Sequence, residues 1–133
     1  ELAKTISTWS KDPSTKVGAV IVDSNRRILS TGYNGFPKGI KDDERLENRD
    51  EKLEMIVHAE INAILFAERN VNNSILYTYP FMPCSRCAAI VIQSGIKKVV
   101  APNNVPDRWQ KSFERTKQMF KEAKVKLNCI DFD

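Results

Sequence analysis

The sequence predicts an α/β protein, a three-layer α/β/α sandwich around a mixed five-stranded sheet. Three observations support this fold class. Five short segments have the length and apolar residues of strands, segments with apolar residues at helical spacing separate most of them, and turn-forming residues mark several boundaries. The elements follow the order α-β-β-α-β-α-β-α-β. We expect the first two strands to pair as an antiparallel hairpin and the later strands to be parallel, joined by right-handed crossovers.

The first half of the chain contains one helix, a hairpin and a charged stretch. Apolar residues at near-helical spacing predict a helix over residues 2–9. Residues 17–22 are apolar and β-branched, which indicates a buried strand, and residues 27–33 return as a second strand after a short turn. Residues 34–39 are dense in turn formers and predict a loop. The highly charged residues 41–52 indicate a surface excursion with some helix.

The second half alternates between helix and strand. A helix over residues 57–69 has a wide apolar face that includes Ile61, Ile64 and Leu65. It is followed by strand 74–79, helix 85–94, strand 98–101, helix 109–123 and strand 125–129. Gly95 is expected to end the helix before it, because glycine adopts the left-handed conformation found at helix C-termini.

Length and composition indicate a single domain over residues 1–133 with a substantial core. The net charge of +4 favours an anionic partner such as a phosphate, although Lys and Arg alternating with acidic residues on solvated helix faces explain it better.

No apolar run is long enough to span a bilayer, no signal-peptide pattern opens the chain, and three cysteines imply no disulfide framework. We therefore expect a cytoplasmic protein without a membrane partner. Because the chain begins at Glu1 without a methionine, we expect a few residues to precede it.

One histidine and two closely spaced cysteines have the pattern of a metal site. His58 and Glu60 are two residues apart, and Cys84 and Cys87 form a C-x-x-C pair that follows Pro83. A neutral imidazole and two thiolates suit zinc, and thiolates are favoured at the start of a helix. Three protein ligands leave a fourth position for water, which is typical of catalytic rather than structural zinc sites.

Glu60 has the position of a proton shuttle in this site. On a helix it points away from His58, so we expect it to reach the zinc-bound water, whose pKa zinc lowers to roughly 7. The H-x-E…P-C-x-x-C pattern of residues 58–60 and 83–87 is the signature of zinc nucleobase deaminases. In such an enzyme, after attack at C4 of a cytosine ring, Glu60 would pass protons to N3 and to the leaving amine. Taken singly, the motifs are ambiguous, because C-x-x-C pairs also occur in redox and structural sites and a lone helical histidine is often a core residue. Cys129 is expected to be a packed strand residue.

The same motifs resemble those of a known family. Residues 58–64 and 83–87 look like the corresponding segments of the deoxycytidylate (dCMP) deaminases of the cytidine deaminase superfamily, and the similarity extends to residues 10–19, 32–39 and 92–97. The zinc motif identifies only the superfamily, and the Gly-Tyr-Asn-Gly loop narrows it to the dCMP branch. The resemblance implies a cytidine deaminase-like fold and hydrolysis of dCMP to dUMP and ammonia, which supplies dUMP for dTTP synthesis.

The resemblance also implies roles for single residues. The matching positions are His58, Cys84 and Cys87 as ligands of one zinc ion, Glu60 for proton transfer, Asn34 for the sugar, and the Ala59 N–H and the Met82 carbonyl for the base edge. For Asn34 a plain turn residue is the alternative. No motif identifies the phosphate ligand. Arg108 would supply a guanidinium and Trp109 a flat wall, with a helix-start charge and a core anchor as the alternatives.

Regulation is a further implication of the resemblance, since members of the family are often activated by dCTP with Mg²⁺ and inhibited by dTTP. The matching residues are Gly32, Tyr33, Asn34 and Gly35 in the effector loop, and Phe66 and Arg69 between the regulatory and active sites. Core packing and a solvated charge are the alternatives for the last two. Some members bind an additional zinc ion, but residues 41–57 contain no Cys or His, so a second zinc is not expected here.

Other functions remain open at this point. A transfer-RNA adenosine deaminase shares His-Ala-Glu but usually has a Glu-Pro-Cys-x-Met-Cys motif, which residues 81–87 do not match, and no aromatic-basic cluster favours nucleic acid. A free-nucleoside cytidine deaminase would normally have Cys in place of His58. A non-catalytic nucleotide-binding module would not need Glu60. For any member of this family we expect a homo-oligomer, often a hexamer.

Overall fold

The computed structural model describes residues 1–132 and confirms an α/β fold on one mixed five-stranded sheet. The helices are α1 (Leu2–Ser7), α2 (Arg49–Met55), α3 (Ala59–Phe66), α4 (Ser85–Gln93) and α5 (Gln110–Ala123). The strands are β1 (Gly18–Val22), β2 (Ile28–Tyr33), β3 (Ile75–Tyr79), β4 (Lys98–Pro102) and β5 (Lys126–Ile130). Short 3₁₀ turns at Glu44–Glu47 and Asp107–Trp109 precede α2 and α5. Within the described residues, no helix has the length and hydropathy needed to cross a membrane.

The strands lie in the order β2-β1-β3-β4-β5. The hairpin between β1 and β2 is antiparallel, and β4 is parallel to both β3 and β5, as the sequence predicts. β1 also pairs with β3 in the antiparallel sense, which places β1 inside the sheet. All five residues of β1 are buried, and this accounts for an apolar run without polar alternation.

Helices cover both faces of the sheet, as a three-layer sandwich requires. Alternate residues of β1 divide between the faces: Ala19 and Ile21 join the larger core cluster under α3, α4 and α5, whereas Val20 and Val22 pack with Ala3 of α1. The larger cluster also contains Leu76, Val91, Val99 and Phe120. Apolar burial on the α3 side therefore fixes the helices whose N-termini carry the candidate site.

Gly32 allows α3 to lie directly on β2. A Cβ atom at this position would be 2.5 Å from the Ala59 carbonyl oxygen and 2.5 Å from the Ala63 nitrogen, both of them backbone atoms of α3. Any side chain would therefore push the helix away from the strand. The structure gives Gly32 a packing function, and its predicted place in an effector loop stays a prediction.

Two predicted helices are shorter than the sequence indicates. The first ends at Ser7, and the helix predicted over residues 57–69 spans only Ala59–Phe66. His58 has extended backbone angles, and Glu68 has a left-handed φ of 53° that stops the helix. Arg69 therefore lies beyond α3. The predicted apolar face is also too wide, because Leu65 and Phe66 are 64% and 48% exposed.

The charged stretch contains some helix, as predicted, but it is not entirely a surface excursion. The Asp43 and Asn48 side chains cap the 3₁₀ turn and α2 respectively. Lys52, on α2, is only 7% exposed. At the other end of the chain Cys129 lies on a strand, as predicted, but the expected packing is wrong, because this residue is exposed on β5, at the edge of the sheet.

Candidate metal centre and active site

Three metal-binding side chains meet where α3 and α4 begin. His58 is the N-cap of α3, Cys84 is the N-cap of α4, and Cys87 lies in the first turn of α4. Their ligand atoms all lie within 4.8 Å of one another. The sequence prediction that these three residues form one cluster is therefore confirmed.

The spacing of the cluster fits zinc. The His58 Nδ1 atom is 3.2 Å from the Cys87 Sγ atom and 3.7 Å from the Cys84 Sγ atom. Tetrahedral zinc with ordinary Zn–N and Zn–S bonds separates such atoms by about 3.6 Å. Two thiols and one imidazole are donors that zinc prefers, and three ligands leave a position for water.

The two cysteines differ in acidity because they contact each other. The hydrogen bond from Cys87 lowers the pKa of Cys84, with a further contribution from His58. The same contact, together with burial, raises the pKa of Cys87. Binding of a metal ion by both sulfurs requires both thiols to lose their protons, and a bound cation favours that loss.

Glu60 is a buried carboxyl group in the first turn of α3. It is 4% exposed, and this burial raises its pKa to about 7, while the charge on His58 acts in the opposite direction. A carboxyl group that titrates near neutral pH can both accept and donate a proton in a catalytic cycle. Glu60 lines the same cavity as His58 and Cys84, as a proton shuttle requires.

Backbone and hydroxyl contacts hold the metal-binding residues in place. Gly35 and Val57 exchange two backbone hydrogen bonds of 3.1 and 2.8 Å, which fixes the chain just before His58. On the other side, the Thr116 hydroxyl on α5 donates to the Pro83 carbonyl at 2.9 Å. The Ser85 N–H donates to the Ser112 hydroxyl at 2.9 Å, so α5 holds the start of α4.

The cavity beside the metal cluster has an aromatic wall. The rings of Trp109 and Phe113 are stacked, with an interplanar angle of 7° and centroids 6.1 Å apart, and Phe81 packs against both. All three side chains line the cavity. Such a wall suits a flat heteroaromatic ring.

A polar loop formed by residues 12–17 also lines the cavity, and Asn34 holds it. The Asn34 Oδ1 atom accepts from the Val17 N–H at 2.9 Å, and its Nδ2 atom donates to the Thr15 carbonyl at 2.9 Å. Asp12 accepts hydrogen bonds from the Ser14 N–H and from the Lys52 Nζ atom at 2.8 and 3.1 Å. The buried ion pair therefore joins this loop to α2.

Most of the predicted active-site residues meet in this cavity. The predicted residues that line it are Asn34, His58, Ala59, Glu60, Cys84, Arg108 and Trp109. Met82 does not line it and is 1% exposed in a cluster with Ala101 and Phe113. The roles assigned to Asn34, Ala59, Met82, Arg108 and Trp109 stay predictions.

Of the residues predicted to bind or relay an effector, Asn34 lines the cavity, whereas Gly32, Tyr33, Gly35, Phe66 and Arg69 do not. Tyr33 is exposed, packs edge-on against Trp9, and accepts a hydrogen bond on its carbonyl from Asn62. Phe66 is on the surface, with the Lys38 Nζ atom 5.1 Å from its ring centroid, so the core alternative for Phe66 is wrong. Arg69 is exposed after the end of α3.

Several cavity residues were not singled out in the sequence. These are Asp12, Ser14, Thr15, Arg49, Lys52, Leu53, Ile56, Phe81 and Phe113. Asp12 and Lys52 are 40 residues apart, and no local pattern pairs them. The only local signal is the Asp-Pro-Ser turn at residues 12–14, where an aspartate side chain typically caps backbone N–H groups.

Comparisons with known proteins agree with this site. Residues 1–102 match the family described as the cytidine and deoxycytidylate deaminase zinc-binding region. An uncharacterized deaminase of Aliivibrio fischeri is 41% identical over 136 residues, which cover 100% of this chain and 91% of that protein. Human deoxycytidylate deaminase is 40% identical over 114 residues, which cover 80% of this chain but 62% of the human protein.

A solved structure is also similar. The crystal structure of dCMP deaminase from the cyanophage S-TIM5 in complex with dCMP and dUMP matches with a TM-score of 0.77 and 26% identity. The match covers 97% of this chain and 91% of that one. The metal cluster, the buried glutamate and these similarities lead to one assignment: the chain belongs to the cytidine and deoxycytidylate deaminase zinc-binding family.

Proposed function

We propose that this protein is a zinc-dependent dCMP deaminase, which converts dCMP and water into dUMP and ammonia. The observation that carries the proposal is the position of Glu60, buried in the same cavity as His58 and Cys84. The relatives named as deoxycytidylate deaminases support dCMP as the substrate. The product dUMP would supply dTTP synthesis.

In this proposal Glu60 moves the protons of the reaction. His58, Cys84 and Cys87 would hold the zinc ion, which when bound would make a water molecule acidic enough to react at neutral pH. Glu60 accepts a proton from the water that adds to C4 of the cytosine ring and delivers it to N3. It then takes the proton from the hydroxyl group now on C4 and gives it to the amino group, so that the C4–N bond breaks, ammonia leaves and the C4 carbonyl of dUMP forms. A pKa near 7 suits both directions of transfer.

The remaining cavity residues would hold the substrate. The aromatic wall of Phe81, Trp109 and Phe113 suits the flat face of the base. The Ala59 N–H is proposed for the base edge, and so is the carbonyl of Met82, a buried residue that does not itself line the cavity. Asn34 is proposed for the sugar, and its place in the cavity lining supports that role.

Regulation by dCTP with Mg²⁺ and by dTTP is part of the proposal, through Gly32 to Gly35, Phe66 and Arg69. The exposure of Tyr33 and Phe66 leaves both available to an effector or to another subunit. We also propose a homo-oligomer, whose size light scattering would measure, and exposed apolar side chains such as Trp9 and Leu65 support it. Three free thiols suit a reduced, cytoplasmic setting.

Zinc loading tests the metal dependence of this proposal. The variants Cys84→Ser and Cys87→Ser should lower zinc content, measured by elemental analysis, from about one per chain to below about a tenth, because each removes one of three ligands. They should abolish ammonia release from dCMP. The matched control is Cys129→Ser, which changes an exposed thiol and should leave zinc content unchanged. Full zinc content in all three variants would contradict the site.

A further inference from the structure

Three basic side chains line the candidate active-site cavity, and only one of them is neutralised. Lys52 is paired with Asp12, and both side chains are less than a tenth exposed. Arg49 and Arg108 also line the cavity, and both are exposed to solvent. Within residues 1–132, neither guanidinium forms a salt bridge. Two arginines are therefore available to an anionic ligand.

Helix stability does not account for Arg49. This residue is the first of α2, where the helix dipole favours acidic side chains, and Asp50 and Glu51 follow it. A cation at that position opposes the dipole. A ligand in the neighbouring cavity gives the guanidinium a favourable partner instead.

Arg108 approaches the cavity from a different element. Its Nη2 atom donates to the Thr15 hydroxyl at 2.9 Å, and its guanidinium carbon is 5.9 Å from the centroid of the Trp109 ring. These contacts join the 3₁₀ turn before α5 to the polar loop and orient the guanidinium. Arg49 belongs to the charged stretch, so the two arginines come from separate parts of the chain.

The cavity has a buried end and a solvent-exposed end. Glu60 is 4% exposed and Cys84 is 8% exposed, which puts the reacting groups at the closed end. The arginines, by contrast, are exposed and therefore lie toward the solvent side. A ligand that places a flat ring beside Glu60 would bring an attached anionic group toward the arginines.

We propose that Arg49 and Arg108 form a two-arginine clamp for the 5′-phosphate of a nucleoside monophosphate. The planar guanidinium matches phosphate geometry and binds it with two parallel hydrogen bonds. The clamp makes the enzyme prefer the nucleotide to the free nucleoside, because the nucleoside leaves both arginines without a partner. This inference rests on the proposed function for the identity of the base, and it assigns a substrate-binding role to the charged stretch through Arg49.

Binding to an inactive variant tests the clamp without relying on turnover. In zinc-loaded Glu60→Gln protein, calorimetry would measure affinity for dCMP and for deoxycytidine, with and without Arg49→Ala or Arg108→Ala. Each arginine variant should weaken dCMP binding about tenfold or more, the range for a lost charge-assisted hydrogen bond, and change deoxycytidine binding less than about twofold. Arg115→Ala is the control, because it removes the same charge from an exposed position on α5 outside the cavity.

The outcomes separate the clamp from the proposed function. Equal losses for dCMP and deoxycytidine, or a loss of dCMP binding in Arg115→Ala as well, would contradict the clamp. Unchanged dCMP binding in both arginine variants would also contradict it. Turnover of dCMP by the unmodified enzyme is measured separately. If that turnover occurs while the arginine variants bind normally, only the clamp fails, and if the clamp binds dCMP but no turnover occurs, only the proposed function fails.

Discussion

Glu60 combines two properties that rarely occur together in a carboxyl group on a helix. It is buried, and it has no described hydrogen-bond partner from another side chain, so burial dominates its acidity and raises its pKa to about 7. Neighbouring His58 moderates the effect. The side chain is therefore poorly suited to stabilising the fold and well suited to proton transfer.

Glu60→Gln separates catalysis from folding. The amide has nearly the same size, so the fold and zinc content should be retained, while the loss of proton transfer should lower kcat by at least about 100-fold. Ammonia release, elemental analysis and thermal unfolding measure the three properties. The control is Glu54→Gln, an exposed residue of α2, which should behave like the unmodified protein. A Glu60→Gln enzyme with near-normal kcat would contradict the proton-shuttle role.

At this scale the clustering of His58, Cys84 and Cys87 could be predicted from the sequence, because their spacing encodes their geometry. His58 and the C-x-x-C pair each open a helix, and the start of a helix is where local sequence is most informative. The partner of Lys52 could not be predicted in the same way. Its ion pair with Asp12 joins two segments 40 residues apart, and a charged stretch is ordinarily solvated.

At the scale of elements, the buried ion pair between Asp12 and Lys52 connects α2 to the polar loop that lines the cavity. Lys52→Met should destabilise the protein by about 3 kcal/mol, because it leaves a buried carboxylate without its cation. For a chain of this size that loss lowers the Tm by roughly 10 °C. Thermal unfolding followed by circular dichroism measures the shift.

A surface ion pair provides the control for Lys52. Lys11 and Asp42 are 3.4 Å apart, with side chains 73% and 38% exposed. Lys11→Met should therefore cost less than about 1 kcal/mol. Similar Tm values for Lys11→Met and Lys52→Met would show that the buried pair does not hold α2 on the loop.

Contact between β2 and α3 is the second element-scale feature that can be tested. Gly32→Ala should destabilise the protein by about 1–3 kcal/mol, because the new methyl group meets the backbone of α3 at 2.5 Å. Gly35→Ala is the matched change, since no heavy atom lies within 4 Å of the Cβ position there. Urea unfolding of both variants would test this packing, and equal stability would contradict it.

The ends of the strands follow the sequence pattern more closely than the ends of α3 do. The strands are predicted to within one residue at most ends, because β-branched runs are sharply bounded by turn formers. The helix that carries Glu60 is shorter than predicted at both ends. The left-handed backbone at Glu68 ends the helix without the glycine that usually signals such a turn.

At the scale of the whole molecule, the sheet brings the starts of α3 and α4 together. Both helices pack on one face, and α4 lies between α3 and α5. The hairpin and the parallel strands could be predicted from the order of elements. The antiparallel pairing of β1 with β3 could not, because it depends on which edge of the hairpin accepts the next strand.

The central claim concerns the substrate, and one comparison of substrates tests it most directly. Zinc-loaded protein would be offered dCMP, deoxycytidine, CMP and an adenosine-containing transfer-RNA stem-loop, with ammonia release measured for each. The account predicts that dCMP has the highest kcat/KM by at least about tenfold, because one cavity contains the proton shuttle, the aromatic wall and two arginines without salt-bridge partners among the described residues. Turnover of the RNA alone, or of none of the four, would contradict it.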